Sequence, residues 1–86
     1  MSRVQVSRRV TEPNAYTGLT SLYWVVLIDG AEVYRNSAAW AGVFAKGAKA
    51  KEAGERRVSP YSNHFNMTWH RGYEAMAMRQ WVKALE

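Results

Sequence analysis

Apolar positions along this 86-residue chain fall into three short runs and then two long ones, and their periods differ. Residues 3 to 10 read Arg-Val-Gln-Val-Ser-Arg-Arg-Val, with Val4, Val6 and Val10 on one parity, the alternation of a half-buried strand. Pro13, Asn14 and Gly18 then break the pattern and predict a loop. Residues 19 to 28, LTSLYWVVLI, are rich in β-branched and aromatic side chains and short for a helix, so they predict a second strand. Asp29-Gly30 follows, then AEVYR; a two-residue turn of this type needs positive φ, which these residues tolerate, so a hairpin into a third strand is expected.

The period changes after Asn36-Ser37, which are placed to cap a helix. The stretch AAWAGVFAKGAKAKEA has high helix propensity, and Gly54 is placed to end it. On a helical wheel Trp40, Val43, Phe44, Gly47 and Gly54 cluster on one side, with Lys46 and Lys49 pointing the other way. Pro60 disfavours helix at Ser59, so residues 55 to 63 read as a connector. A second helix is expected from about residue 64 or 66 to Leu85, with a main stripe of Phe65, Trp69, Gly72, Tyr73 and Met76. Met78, Trp81 and Leu85 form a second stripe, expected to pack on the sheet or, failing that, to face a protein partner. The sum is an α+β chain: a three-stranded antiparallel sheet followed by a two-helix hairpin, in a single domain over residues 1–86. Residues 1–36 form its sheet and residues 37–86 its helical pair.

Composition narrows the classes of function. No cysteine is present, which excludes disulfides and thiolate metal sites and fits a reducing cytoplasm. The Met-Ser-Arg start is not followed by an apolar run, so no signal peptide is expected. The longest apolar stretch, Leu22 to Ile28, is far short of the roughly 20 residues a membrane span needs. Four Trp and five Tyr supply a core large for so short a chain. Twelve Lys and Arg against seven acids give a net charge of +5, which with the aromatics favours a polyanionic partner, nucleic acid first.

Catalytic constellations are not found. His64 and His70 lie six apart, on different sides of a helix, and no acid cluster accompanies them, so no metal or cofactor is expected. GVFAKGAK lacks the lysine directly after the second glycine that a phosphate loop requires. Ser59 and Ser62 near His64 do not make a nucleophile and base. The binding candidates are stronger. Lys46, Lys49, Lys51, Arg56, Arg57 and Arg71 concentrate on the first helix, the connector and the start of the second helix. Arg56-Arg57 are expected to be free in a loop to meet phosphates, with Tyr61 beside them as a stacking platform or, more simply, a lid on the helix junction.

Spacing along the helical half adds a resemblance. Gly47-x6-Gly54-x5-Pro60-Tyr61, then Trp69-x2-Gly72-Tyr73 and Glu74-Ala75-Met76-Ala77, resembles ribosome modulation factor over residues 44 to 81. That family consists of small basic bacterial proteins with two helices joined by Cys-Pro-Tyr and a Trp-x2-Gly-Trp motif on the second. Here Ser59 stands for the cysteine, Tyr73 for the second tryptophan, the segment from Tyr61 to Trp69 is one residue shorter, and the strands have no counterpart. The resemblance implies binding to ribosomal RNA or the small ribosomal subunit, in ribosome hibernation. In this reading Gly47, Gly54, Pro60, Trp69, Gly72 and Tyr73 are structural, with the three glycines permitting close approach of the helices, and the Lys/Arg patch binds.

The first expectation is therefore a cytoplasmic, non-enzymatic, RNA- or ribosome-binding modulator. The alternative is a phage-type inhibitor of a host machine, such as an anti-CRISPR, acting through the apolar helix face or a sheet edge. A third reading, a small-molecule-modifying activity, comes only from plasmid- and phage-borne relatives to which action on fluoroquinolones is attributed.

Overall fold

In the computed structural model, which describes residues 2–85, the chain runs β1 (Val4–Val10), β2 (Leu22–Ile28), β3 (Ala31–Asn36), α1 (Ala38–Glu52) and α2 (Phe65–Leu85). The strands form one antiparallel sheet in the order β1-β2-β3, and the helices follow it, as the alternation and the helical periods predict. Asp29 and Gly30 both take positive φ, 54° and 82°, so the hairpin turn is built as the dipeptide requires.

The layers are sheet, α1 and α2, in that order, because α2 packs almost wholly on α1. A helix buried on two sides must be slim, and α1 is made for that position. Ala41, Phe44, Ala45 and Ala48 join Val4, Val26 and Ile28 in one cluster together with Met76 of α2. Val43 and Ala50 join Trp69 in a second cluster, closed by Tyr61, Phe65 and Tyr73. The single apolar side expected for α1 is thus two apolar sides, and Lys46 and Lys49 occupy an exposed strip left between them. Ser37 stands at the N-cap position but its side chain makes no capping bond; Asn36 accepts from the Ser37 N–H instead.

The helices cross where two glycines meet the opposite backbone. A Cβ at Gly47 would lie 1.9 Å from the Trp69 carbonyl oxygen, and one at Gly72 would lie 1.9 Å from that of Phe44. Of the two roles expected of Gly54, ending α1 and permitting close approach of the helices, it fills the first. A Cβ there would meet nothing within 4 Å, but its φ of 76° ends α1. The Gly54 N–H bonds the Lys51 carbonyl and the Glu55 N–H that of Ala50, a Schellman cap. In the connector the Ser59 hydroxyl accepts from the Tyr61 N–H around Pro60, and Asn63 Oδ1 accepts from the Phe65 N–H to open α2.

Two expectations about burial are corrected. Val4 is buried, but Val6 and Val10 are exposed, because β1 is an edge strand and the helices cover the sheet near its Asp29–Gly30 end. Met78 and Trp81 do not pack on the sheet; α1 stands between the sheet and α2 and holds them away from it. The Leu85 side chain lies outside the described residues. Beyond residue 9 the β1–β2 hairpin projects from the body, with residues 10–22 exposed throughout. The radius of gyration, 14.6 Å, accordingly exceeds the roughly 12 Å of a compact chain this long.

Candidate nucleic-acid interface

The placement of charge begins with the acids, because most of them are already engaged. Asp29 accepts both forks of the Arg3 guanidinium, at 2.7 and 2.6 Å, and Arg79 of α2 approaches it at 3.9 Å. Glu32 pairs with Arg35 on the same strand. Glu52 accepts from the Arg3 N–H at 2.7 Å and the Ser2 hydroxyl at 2.8 Å, which pins the start of β1 to the end of α1. The Arg3 N–H bond, then the Ser2 bond, hold the Glu52 carboxyl below its ordinary pKa. Glu74 pairs with Arg57, whose hydrogen bond is the main cause of its lowered pKa.

These pairings sort the predicted basic residues. Lys46 and Lys49 are exposed on the uncovered strip of α1, and Arg56 is exposed in the connector; among the described residues none of the three has a carboxylate partner. Lys46 Nζ lies 3.4 Å from the Tyr61 hydroxyl, so that ring stands at the edge of the strip. Tyr61 is half-buried and edge-on to Phe65, which makes it first a lid on the helix junction. Lys51 is half-buried with its ammonium 5.6 Å from the Tyr73 ring centroid.

Arg57 is not free to meet phosphates in the way its loop position predicts. Its guanidinium donates to His70 Nδ1 at 3.0 Å, pairs with Glu74 and lies 5.7 Å from the Tyr73 centroid, so it fastens the connector to α2. Adjacent arginines in one loop therefore do different things: Arg56 is available and Arg57 is structural. Arg71 is exposed on the outer side of α2, in a depression shared with Arg57, Met67, His70 and Glu74, rather than in line with the α1 lysines. Trp69 is buried, and Tyr73 is half-buried with its hydroxyl donating to the Glu55 carbonyl at 2.7 Å, so both hold the helix junction together.

A further basic group escaped the sequence reading. On the sheet face turned away from the helices, Arg9 sits opposite Tyr23 in register, and the Arg35 guanidinium lies 4.6 Å from the Tyr23 centroid. Strand parity puts Arg9 and Tyr23 there, but Arg35 arrives through a register shift between Val26 and Leu27. Without that shift the two-residue turn would set Tyr34 opposite Val25 and Arg35 opposite Trp24. With it, Arg35 faces Val25 and Tyr34 faces Val26, where its ring stacks on Phe44 at 4.3 Å.

Among the described residues no three His, Asp or Glu side chains converge as a metal site, and no helix is long and apolar enough to cross a membrane. Compared with protein-family models, with curated proteins and with solved structures, the chain matches none of them.

Proposed function

We propose that the chain is a small, basic, non-enzymatic RNA-binding modulator that meets phosphates through Lys46, Lys49 and Arg56. Lys51 and Tyr61 flank them, and the target implied by the resemblance is ribosomal RNA or the small ribosomal subunit. One observation carries this reading. Four of the acids are engaged in internal ion pairs or hydrogen bonds, while Lys46, Lys49 and Arg56 stand exposed on the surface of α1 and the connector with no carboxylate partner among the described residues. Cations not neutralised by a carboxylate are the ones that can exchange their counterions for phosphate.

Fluorescence anisotropy with labelled RNA, and co-sedimentation with purified ribosomal subunits, over a series of salt concentrations test it. Each phosphate contact contributes about 0.7 to the salt slope on single strands. The triple change Lys46→Ala, Lys49→Ala and Arg56→Ala is expected to flatten the slope by up to about 2 and to leave stability nearly unchanged. Equal affinity of the triple variant and the unaltered chain would refute the reading.

A second reading, a phage-type inhibitor that docks on a host machine, is favoured by the exposure of Met78 and Trp81 around a shallow groove with Glu74 and Ala77. Binding through that surface would respond little to salt.

A further inference from the structure

Helix α2 has a second regular seam. Among its described side chains the exposed positions are Met67, Arg71, Glu74, Met78 and Trp81, with Val82 at the margin, so the steps along the stripe are four, three, four and three. That is the 3.5-residue period by which one helix lays a continuous stripe against another. The opposite side of α2 is already used, since Trp69, Gly72 and Met76 face α1. Met67, Met78 and Trp81 are 65, 59 and 60% exposed, far more than large apolar side chains at regular helical spacing require.

The charges inside the stripe identify what covers it. Arg71 and Glu74 are the only charged members, they sit in adjacent layers at its middle, and they have opposite sign. Two parallel copies would set arginine against arginine and glutamate against glutamate. Two antiparallel copies related by a two-fold axis between residues 72 and 73 set Arg71 against the partner's Glu74, and Met67 against the partner's Met78. An isologous interface demands that kind of self-complementarity, whereas an unrelated protein has no need of it.

We propose that α2 is a homodimerisation helix, pairing antiparallel with α2 of a second copy through Met67, Arg71, Glu74, Met78 and Trp81. Glu74 also carries Arg57 of its own chain, and its side chain keeps 60% of its surface exposed. A carboxylate offers about four lone-pair sites, so it accepts both guanidinium groups. With one Trp, worth roughly 150–250 Å² of burial, and two Met per copy, the contact lies near the small end of stable interfaces, about 1,200 Å² in total. Buried area does not fix affinity, so a contact this small calls for a test from roughly micromolar to hundreds of micromolar concentration.

Sedimentation velocity across that concentration range tests the proposal, with far-UV circular dichroism to confirm that each variant is folded. The unaltered chain is expected to move from 9.8 kDa towards twice that mass. Arg71→Glu alone and Glu74→Arg alone each place like charges across the axis and are expected to weaken dimerisation at least about tenfold. An equimolar mixture of the two single variants restores complementary pairs and is expected to dimerise as the unaltered chain does. A chain carrying both changes should behave the same way. A monomer throughout the range overturns the proposal, as does a mixture of the two variants that stays monomeric. Single variants that dimerise undiminished overturn it too, since the charges would then not meet across the axis.

Discussion

Replacing Gly47 by alanine puts a methyl group where the Trp69 carbonyl already stands. The new Cβ would lie 1.9 Å from that oxygen, 2.9 Å from its carbon and 3.0 Å from the Tyr73 nitrogen. All three are backbone atoms of α2, so no side chain can swing aside, and the helices must separate by about 1 Å. A gap of that size forfeits roughly a quarter to a half of each dispersion contact across it, and Val43, Ala50 and Trp69 are the residues that lose them. Overpacking of this kind costs about 1–3 kcal/mol, occasionally more, and alanine returns up to about 1 kcal/mol through helix propensity. Because three backbone atoms stand in the way the upper end of that range applies, and the expected net loss is about 2 kcal/mol, or a Tm lower by roughly 8–16 °C in a domain this small.

Gly42 provides the control within the same helix. A Cβ there meets nothing within 4 Å and its φ is not positive, so Gly42→Ala is expected to stabilise by roughly 0.5–1 kcal/mol. Gly72→Ala should resemble Gly47→Ala, and the double variant should lose less than the sum, because helices pushed apart by one methyl leave room for the other. Urea unfolding followed by circular dichroism reads all four. Gly47→Ala as stable as the unaltered chain, or shifted in the same direction as Gly42→Ala, would refute the crossing described above.

Trp69→Ala removes a 3%-exposed side chain from the helix junction and is expected to cost about 3–5 kcal/mol, leaving little or no folded protein in denaturant titrations. Tyr73→Phe removes the bond to the Glu55 carbonyl and should cost about 0.5–1.5 kcal/mol by the same measurement. Arg57→Ala should cost no more than about 1 kcal/mol, since its pair with Glu74 is solvent-exposed. The lowered pKa of Glu52 means that it contributes stability above the unfolded carboxyl value of about 4.3, lost as pH falls through its folded value. Glu52→Gln should therefore flatten the fall in stability on acidification, and an unchanged acid profile would contradict the Arg3 and Ser2 bonds.

Local chemistry made much of the architecture legible from the sequence. Asp29-Gly30 dictated a tight turn because few other dipeptides accept positive φ twice. Gly54 ended α1 and Pro60 kept the connector out of helix for equally local reasons, and the helical periods placed Trp69 and Met76 inside. Which lysines would be exposed was also legible, since Lys46 and Lys49 oppose the apolar positions of α1. The tertiary structure decided what depends on neighbours distant in sequence. It placed α1 between two layers, which turned one expected apolar side into two and left Met78 and Trp81 uncovered. It gave Arg57 a partner on α2 and, among the described residues, none to Arg56, a difference between adjacent identical residues that no local pattern contains. It also exchanged Tyr34 and Arg35 between the faces of the sheet through a one-residue shift in β3. Strand periodicity is two, so a single extra residue reverses every side chain beyond it, and only packing against Phe44 selects which face Tyr34 takes.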